Sequence, residues 1–167
     1  MAKKRCYGCM KMKTQTPVCE HCGYNEHVQN ESHQLPTGAV LNNQYTIGKC
    51  LGQGGFGITY LGWDQFLDIP VAIKEYYPNG FVSRDCRLST EVVILENKAG
   101  ALFQSSRERF MREAQTLAKL SSVPGVVHVR NFFLQNNTAY IVMEYLKGID
   151  LRRYMNMHGG RLSIQET

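Results

Sequence analysis

Hydrophobic positions concentrate in five short runs separated by polar turns, a pattern that predicts a β-sheet. The runs are rich in β-branched and aromatic residues and are bounded by turn-forming residues. They cover residues 45–51, 58–63, 69–77, 126–134 and 138–145. The first three follow closely on one another, which indicates an antiparallel meander, and Gln135-Asn136-Asn137 is typical of a hairpin turn between the last two.

One segment has helical periodicity instead. Ser105-Ser106-Arg107-Glu108 matches the capping box that opens many helices, so a helix is predicted from Ser105 to about Leu120. Its apolar stripe consists of Phe110, Leu117 and Leu120, with Ala114 beside it. The predicted fold class is therefore α+β, with a five-stranded antiparallel sheet, one main helix and a small cysteine-rich module before them.

The cysteine-rich module contains four of the six cysteines within the first 22 residues. Cys6, Cys9, Cys19 and Cys22 form two C-x2-C pairs separated by nine residues, a spacing that presents four thiolates to one zinc ion. Four sulfur ligands leave no open position for water, so a structural zinc ribbon is predicted. Redox disulfides or incidental thiols are the alternative.

Domain boundaries follow from composition. Residues 1–24 are predicted as the zinc ribbon, the polar segment 25–36 as a linker, and 37–167 as the main domain. Within the main domain, residues 78–104 separate the third strand from the helix. Because 91–95 are β-prone, this stretch is predicted to be either an extra hairpin or a mobile insert.

The glycines between the first two strands predict a phosphate-binding hairpin. Leu51-Gly52-Gln53-Gly54-Gly55-Phe56-Gly57 contains G-x-G-x-x-G, which also occurs where a dinucleotide-binding strand turns into a helix. Here Ile58 and Thr59 begin a β-prone run instead, so the glycines lie in a hairpin whose backbone N–H groups cover phosphates. No Gly-Lys-Ser/Thr follows, which excludes a Walker loop.

The third strand contains Val71-Ala72-Ile73-Lys74, and its period of two places Ala72 and Lys74 on one face. Ala72 leaves room for a purine, and Lys74 supplies a cation for phosphate oxygens. Glu113 interrupts the apolar stripe of the helix, so a buried Lys74–Glu113 ion pair is predicted. A solvated lysine and a glutamate at the helix edge are the alternatives.

Composition narrows the class of protein. The 167 residues are 43% hydrophobic and 20% charged, which is typical of a globular protein. The formal net charge of +5 is spread along the chain except near Met1–Lys13, so nucleic-acid binding is permitted but not indicated. No apolar run is long enough for a membrane span or a signal segment, which favours the cytoplasm.

Taken together, these motifs resemble the amino-terminal lobe of a bacterial serine/threonine protein kinase of the eukaryotic type. The resemblance covers about Val40 to Thr167, and it rests on the glycine loop, Val71-Ala72-Ile73-Lys74, the helix glutamate and Val142-Met143-Glu144-Tyr145 in that order. Thr59 departs from the family pattern, which usually has valine there.

The resemblance implies roles for individual residues. Lys74 would hold the α- and β-phosphates of ATP and pair with Glu113, and these two residues are the catalytic candidates in this chain. Met143 would stand at the back of the pocket, and Asp150 would lie near the ribose. The implied nucleotide-binding residues are Leu51, Gly52, Gln53, Gly54, Gly55, Phe56, Gly57, Ile58, Thr59, Ala72, Lys74, Met143, Glu144, Leu146 and Asp150.

Kinase chemistry also needs a catalytic-loop aspartate and magnesium-binding Asn and Asp side chains in their motifs, which these 167 residues do not contain. Ser163-Ile164-Gln165-Glu166 is a further capping box that stops at Thr167. The chain is therefore expected to be part of a larger kinase, inactive alone, with Mg²⁺ held by residues beyond it.

Three functions stay open from the sequence. The first is the ATP-binding lobe of a kinase that phosphorylates serine or threonine of a protein substrate. The second is a zinc-ribbon pseudokinase or interaction scaffold, in which the ribbon binds a protein partner without catalysis. The third, zinc-dependent nucleic-acid binding, rests only on five basic residues: Lys3, Lys4, Arg5, Lys11 and Lys13.

Overall fold

A computed structural model describes residues 4–95 and 99–162. The elements in chain order are β1 (Lys4–Arg5), β2 (Met12–Lys13), β3 (Val40–Leu41), β4 (Tyr45–Gly54), β5 (Gly57–Asp64), β6 (Ile69–Tyr76), β7 (Val82–Ser83), β8 (Val93–Ile94), α1 (Ala99–Lys119), β9 (Val129–Gln135), β10 (Thr138–Glu144) and α2 (Leu151–Met157). The predicted capping box at 163–166 lies outside the described residues. In the described part of the chain, no helix is long and apolar enough to cross a membrane.

The main sheet has the strand order β3-β4-β5-β6-β10-β9, and each neighbouring pair is antiparallel. The α+β prediction and all five predicted strands are confirmed, and the two-residue strand β3 is added at one edge. The predicted Asn-rich turn is confirmed as well. Asn136 and Asn137 have φ values of 52° and 56°, as a tight turn between twisted strands requires.

The sheet is curled, so that its opposite ends meet across one face. The rings of Tyr45 on β4 and Phe133 on β9 stack 5.9 Å apart, and Asn131 donates a hydrogen bond to the Tyr45 hydroxyl at 3.0 Å. The concave side, here called the inner face, holds the main apolar core. Its fully buried side chains include Ile47, Ile58, Tyr60, Val71, Ile73, Tyr140 and Val142.

The other side, here called the helix face, packs against α1. The rings of Phe103 and Phe110 lie 5.3 and 5.4 Å from Tyr76 of β6, and Ala114 is fully buried. The predicted helix start at Ser105 is wrong, because α1 begins six residues earlier at Ala99. Packing of Phe103 on the sheet extends the apolar stripe, and Ser105 donates to Leu102 O inside the helix rather than capping it. Leu120, predicted within the stripe, is 41% exposed.

Residues 78–104, predicted to be either an extra hairpin or a mobile insert, contain β7 and β8, and these two strands form the hairpin. Val82 and Ser83 pair with Ile94 and Val93, and the hairpin is tied to the β9–β10 turn by Val92 N donating to Asn136 O at 2.9 Å. Val82 and Val92 are both buried in the core.

The segment 25–36, predicted as a linker, packs closely against the main sheet. Leu35 is fully buried in the core, and its backbone N–H donates to the Tyr60 hydroxyl at 3.0 Å. The cysteine module before it is docked as well. The Arg5 guanidinium lies 3.4 Å from the centre of the Trp63 ring on β5.

Candidate functional site

The cysteine module brings its four predicted metal ligands together. The sulfur atoms of Cys6, Cys9, Cys19 and Cys22 all lie within 4.8 Å of one another. Cys6 Sγ is 3.7 Å from Cys22 Sγ, and Cys9 Sγ is 3.9 Å from Cys19 Sγ. Zinc–sulfur bonds of about 2.3 Å in a tetrahedron separate the sulfurs by roughly 3.8 Å. The cluster therefore has the size and the ligand chemistry to hold a zinc ion.

Backbone turns shape this cluster. Met10 N donates to Cys6 O, and Gly23 N donates to Cys19 O, both at 2.8 Å. Met10 and Gly23 close the two turns with φ values of 61° and 70°. Burial raises the pKa of the Cys6, Cys9 and Cys22 thiols, whereas at Cys19 burial is outweighed by hydrogen bonds from backbone groups of His21 and Cys22 and from Cys6, which lower the pKa to about 7. A thiolate is the form that binds metal.

The glycine hairpin joins β4 to β5 and confirms the predicted strand after the glycines. At Gly52, Gly54 and Gly55 an added Cβ would meet no protein atom within 4 Å, and none of the three has a positive φ. The packing and backbone of the protein therefore do not require glycine there. Gly57 differs, because its Cβ would meet Glu75 O at 2.3 Å. The open positions leave backbone accessible to a ligand.

Strand register aligns several predicted nucleotide-binding residues on the helix face. Thr59 pairs with Lys74, and Met143 pairs with Ala72, so the four lie on neighbouring strands of one face. Ile58 does not join them. Its side chain is fully buried on the inner face, so only its backbone can meet a nucleotide.

A cavity of about 560 Å³ lies between the glycine hairpin, β6 and α1. Its charged lining residues are Lys74, Arg109 and Glu113, and most of the others are apolar. The apolar and aromatic lining residues are Phe56, Tyr76, Pro78, Phe81, Leu102, Phe103 and Phe110.

Lys74 and Glu113 line this cavity together, but the predicted buried ion pair between them is not formed. Lys74 Nζ lies 5.5 Å from the centre of the Phe110 ring, and within the described ranges no ion pair joins it to Glu113. Glu113 is exposed. The physical reason is the orientation of α1 about its axis: Phe103, Phe110 and Ala114 are the buried residues of the helix, which leaves the Glu113 carboxylate on the exposed side of the cavity.

The remaining predicted nucleotide-binding residues include the end of β10, the segment after it and Leu51 on β4. Glu144 N donates to His128 O, and its Oε1 accepts from His128 N, both at 2.9 Å. Leu146 is 68% exposed, and Leu51 on β4 is 40% exposed. Asp150, predicted near a ribose, caps α2 by accepting from Arg153 N at 2.8 Å.

Sequence reasoning missed a buried ion pair on the opposite face of β6. Arg84 Nη1 lies 2.5 Å from Glu75 Oε1, and Nη2 lies 2.8 Å from Oε2, with both side chains 0% exposed. The Tyr60 and Tyr140 hydroxyls each donate to this carboxylate at 2.8 Å. The available signal was the period of two in β6, which places Glu75 on the same face as the buried residues Val71 and Ile73.

Electrostatics keep the groups that donate hydrogen bonds in this network protonated. Burial and the nearby Glu75 carboxylate raise the pKa of Tyr60 and of Tyr140, so both hydroxyls remain donors. Burial alone would lower the pKa of Arg84, but the hydrogen bond and charge of Glu75 raise it. Tyr60, Tyr140 and Arg84 therefore all keep their protons, and each donates to the Glu75 carboxylate.

Known proteins resemble both the sequence and the fold. Residues 45–167 match the protein-family model described as protein tyrosine and serine/threonine kinase. Probable serine/threonine-protein kinase YbdM of Bacillus subtilis is 26% identical over 123 residues, covering 72% of this chain and 39% of YbdM. Serine/threonine-protein kinase PknG of Mycolicibacterium smegmatis is 29% identical over 181 residues, covering 99% of this chain and 20% of PknG.

Solved structures share the same arrangement. A structure titled PpkA-294 apo form matches with a TM-score of 0.68 and 34% identity, covering 75% of this chain and 43% of that one. The Mycobacterium tuberculosis PknI kinase domain, at 24% identity and a TM-score of 0.58, covers 80% of this chain and 45% of that one and supports the fold alone. This chain spans 39% and 20% of the lengths of YbdM and PknG. Because the family model covers most of its residues, the chain belongs to the protein tyrosine and serine/threonine kinase family.

Proposed function

We propose that this chain is the ATP-binding lobe of a serine/threonine protein kinase that transfers the γ-phosphoryl group of ATP to a protein hydroxyl. The observation that carries the proposal is the cavity lined by Lys74 next to a glycine hairpin whose glycines the fold itself does not need. Such glycines and a lysine are the parts that hold nucleotide phosphates in kinases.

Within this proposal each group has a limited task. The hairpin backbone between Gly52 and Gly57 covers the phosphates, Lys74 supplies positive charge, and Ala72 and Met143 border the purine. Magnesium would neutralise phosphate charge when bound, and its ligands are proposed to lie outside these 167 residues. The 167 residues alone are then expected to bind ATP without transferring phosphate.

The test is ATP binding by the chain, measured by calorimetry with Mg²⁺. Gly54→Val should weaken ATP binding by about tenfold or more, because the new side chain covers backbone that a phosphate needs. Folding should survive, since no protein atom lies within 4 Å of the new Cβ. Gly100→Val on α1, also an open position, is the matched control. Unchanged ATP affinity in Gly54→Val would contradict phosphate binding by the hairpin. Phosphate transfer by this chain alone would contradict the proposal that it binds ATP without transferring phosphate.

We also propose that the cysteine cluster holds one structural zinc ion and that the protein resides in the cytoplasm. The sulfur spacing supports the first proposal, and six free cysteines fit the reducing compartment of the second. Metal analysis should find about one zinc per chain. Cys22→Ser should lower the zinc content and the thermal midpoint, whereas Cys50→Ser and Cys86→Ser, outside the cluster, should retain zinc. Full zinc retention in Cys22→Ser would count against a four-cysteine site.

A scaffold without catalysis is the second candidate, and it is favoured by one observation. Glu113 is exposed, and Lys74 lies beside the Phe110 ring with no carboxylate paired to it among residues 4–95 and 99–162. Chains that bind a protein partner through the cysteine module but show no ATP binding at millimolar concentration would support this candidate over the first.

A further inference from the structure

Strand β4 is irregular just before the glycine hairpin. Its pairing with β5 shifts register between Ile47 and Cys50 and again between Cys50 and Gly52. Such irregularities leave backbone groups without partners in the ladder and redirect the strand. Groups that satisfy this backbone therefore influence where the following hairpin lies.

One side chain from the segment 25–36 satisfies the irregular backbone on both sides. Asn30 Nδ2 donates to Gly48 O at 3.1 Å, and Asn30 Oδ1 accepts from Cys50 N at 2.9 Å. The same Nδ2 donates to Leu35 O at 2.7 Å, which fixes the amide orientation. Asn30 thus forms hydrogen bonds with the backbone on both sides of Lys49, within the irregular part of β4, which is here called the bend.

The cysteine module also packs against this part of β4. Lys49 N donates to Tyr7 O at 2.9 Å. Gly48 has no space for a side chain, because an added Cβ would lie 2.6 Å from Tyr7 O and 2.3 Å from Met10 Cε. The bend therefore lies between two packed surfaces rather than in solvent.

A second contact reaches the glycine hairpin itself. Gln53 Oε1 accepts from Gln34 Nε2 at 3.1 Å and lies 2.8 Å from His33 Nε2. Gln34 is buried, with 7% of its surface exposed. This contact holds the side chain of Gln53, a residue that lies between Gly52 and Gly54 in the chain.

The segment that makes these contacts is itself anchored in the core. Arg84 Nε and Nη2 donate to His33 O at 2.9 and 2.7 Å, and Arg84 is held by Glu75. Leu35 is fixed by the Tyr60 hydroxyl. A continuous series of hydrogen bonds thus runs from Glu75 on the inner face, through Arg84 and the segment 33–35, to the hairpin.

We propose that residues 30–35 form a positioning clamp for the phosphate-binding hairpin, with Asn30 and Gln34 as its main positioning residues. The inference rests on the proposed function, because it assumes that the hairpin covers nucleotide phosphates. Its specific consequence is that the clamp favours ligands with phosphates and does not affect recognition of the nucleoside.

The experiment compares the affinities of the chain for ADP and for adenosine. Asn30→Ala should lower the affinity for ADP by about tenfold, since misplaced backbone no longer matches the phosphates, while adenosine affinity stays within about twofold. Asn25→Ala is the matched control from the same segment, because Asn25 Oδ1 accepts from His27 N and, among the described residues, no hydrogen bond joins its side chain to β4. It should change neither affinity.

Each outcome decides between explanations. Equal losses for ADP and adenosine, or no loss for either, would overturn the clamp while leaving nucleotide binding intact. A wild-type chain that binds neither ligand would overturn the proposed function, and the clamp with it. If Asn30→Ala does not fold, Gln34→Ala and His33→Ala give the same comparison, because the His33 carbonyl that binds Arg84 remains in both.

Discussion

Lys74 and Glu75 are neighbours in strand β6, yet their side chains lie on opposite faces of the sheet and meet opposite conditions. Glu75 is fully buried and accepts hydrogen bonds from Arg84, Tyr60 and Tyr140. Lys74 is half-buried beside a cavity, and its charge contacts only the Phe110 ring at 5.5 Å among the described residues. A charge that serves the fold is fully paired, whereas a charge available to a ligand is left with room around it.

The largest effect on stability is expected from removing the buried charge of Glu75. Glu75→Gln leaves the Arg84 guanidinium buried without a counter-charge, which should lower the free energy of unfolding by about 3 to 5 kcal/mol. Denaturant unfolding measures this change. The double variant Glu75→Met with Arg84→Met should recover much of the loss, because it removes both buried charges.

Neighbouring residues supply the control for that experiment. Asp85 and Arg87 form an exposed ion pair two residues apart in the same insert. Replacing both with alanine should leave unfolding unchanged within error, because exposed pairs contribute little. A Glu75→Gln variant as stable as the wild type would show that the buried pair does not hold the insert.

An intermediate effect is expected from removing Lys74 on the helix face, and it should change ATP affinity rather than stability. Lys74→Ala should weaken ATP binding by about tenfold, or about 1.4 kcal/mol, because a cation beside the phosphates is lost. The free energy of unfolding should change by less than about 0.5 kcal/mol, since Lys74 forms no ion pair in the part of the chain that the structure describes. Lys119→Ala, at the exposed end of α1, should change neither quantity. A large stability loss in Lys74→Ala would contradict the contrast between the two faces.

The smallest effect is expected from Glu113. Because its side chain is exposed and unpaired with Lys74, Glu113→Gln should change the free energy of unfolding by less than about 0.5 kcal/mol. ATP affinity of the chain should stay within about twofold. A loss of several kcal/mol would instead indicate that the originally predicted buried pair forms in solution.

Local sequence signals predicted much of this molecule. β-Branched runs predicted the five long strands, the C-x2-C spacing predicted the sulfur cluster, and Ile58-Thr59 correctly excluded a helix after the glycines. These features depend on residues close together in the chain. The helix start failed, because packing of Phe103 on Tyr76 outweighed the capping signal at Ser105.

Contacts between residues far apart in the chain could not be predicted from these local sequence signals. Arg84 meets Glu75 only because the insert folds back onto the inner face of the sheet. His33 and Asn30 contact Arg84 and β4 from a segment whose composition predicts a linker. A polar segment gives no periodic pattern, so its hydrogen bonds to a distant strand cannot be inferred from its own residues.

The sequence by itself determined the kinase-type order of motifs, the α+β fold and the four sulfur ligands, since each depends on residue type at short spacing. Only the tertiary structure decided which charges are paired. The cost of burying a charge depends on every group that surrounds it, and here the curl of the sheet and the rotation of α1 enclosed Glu75 with Arg84 while leaving Lys74 and Glu113 apart at the cavity.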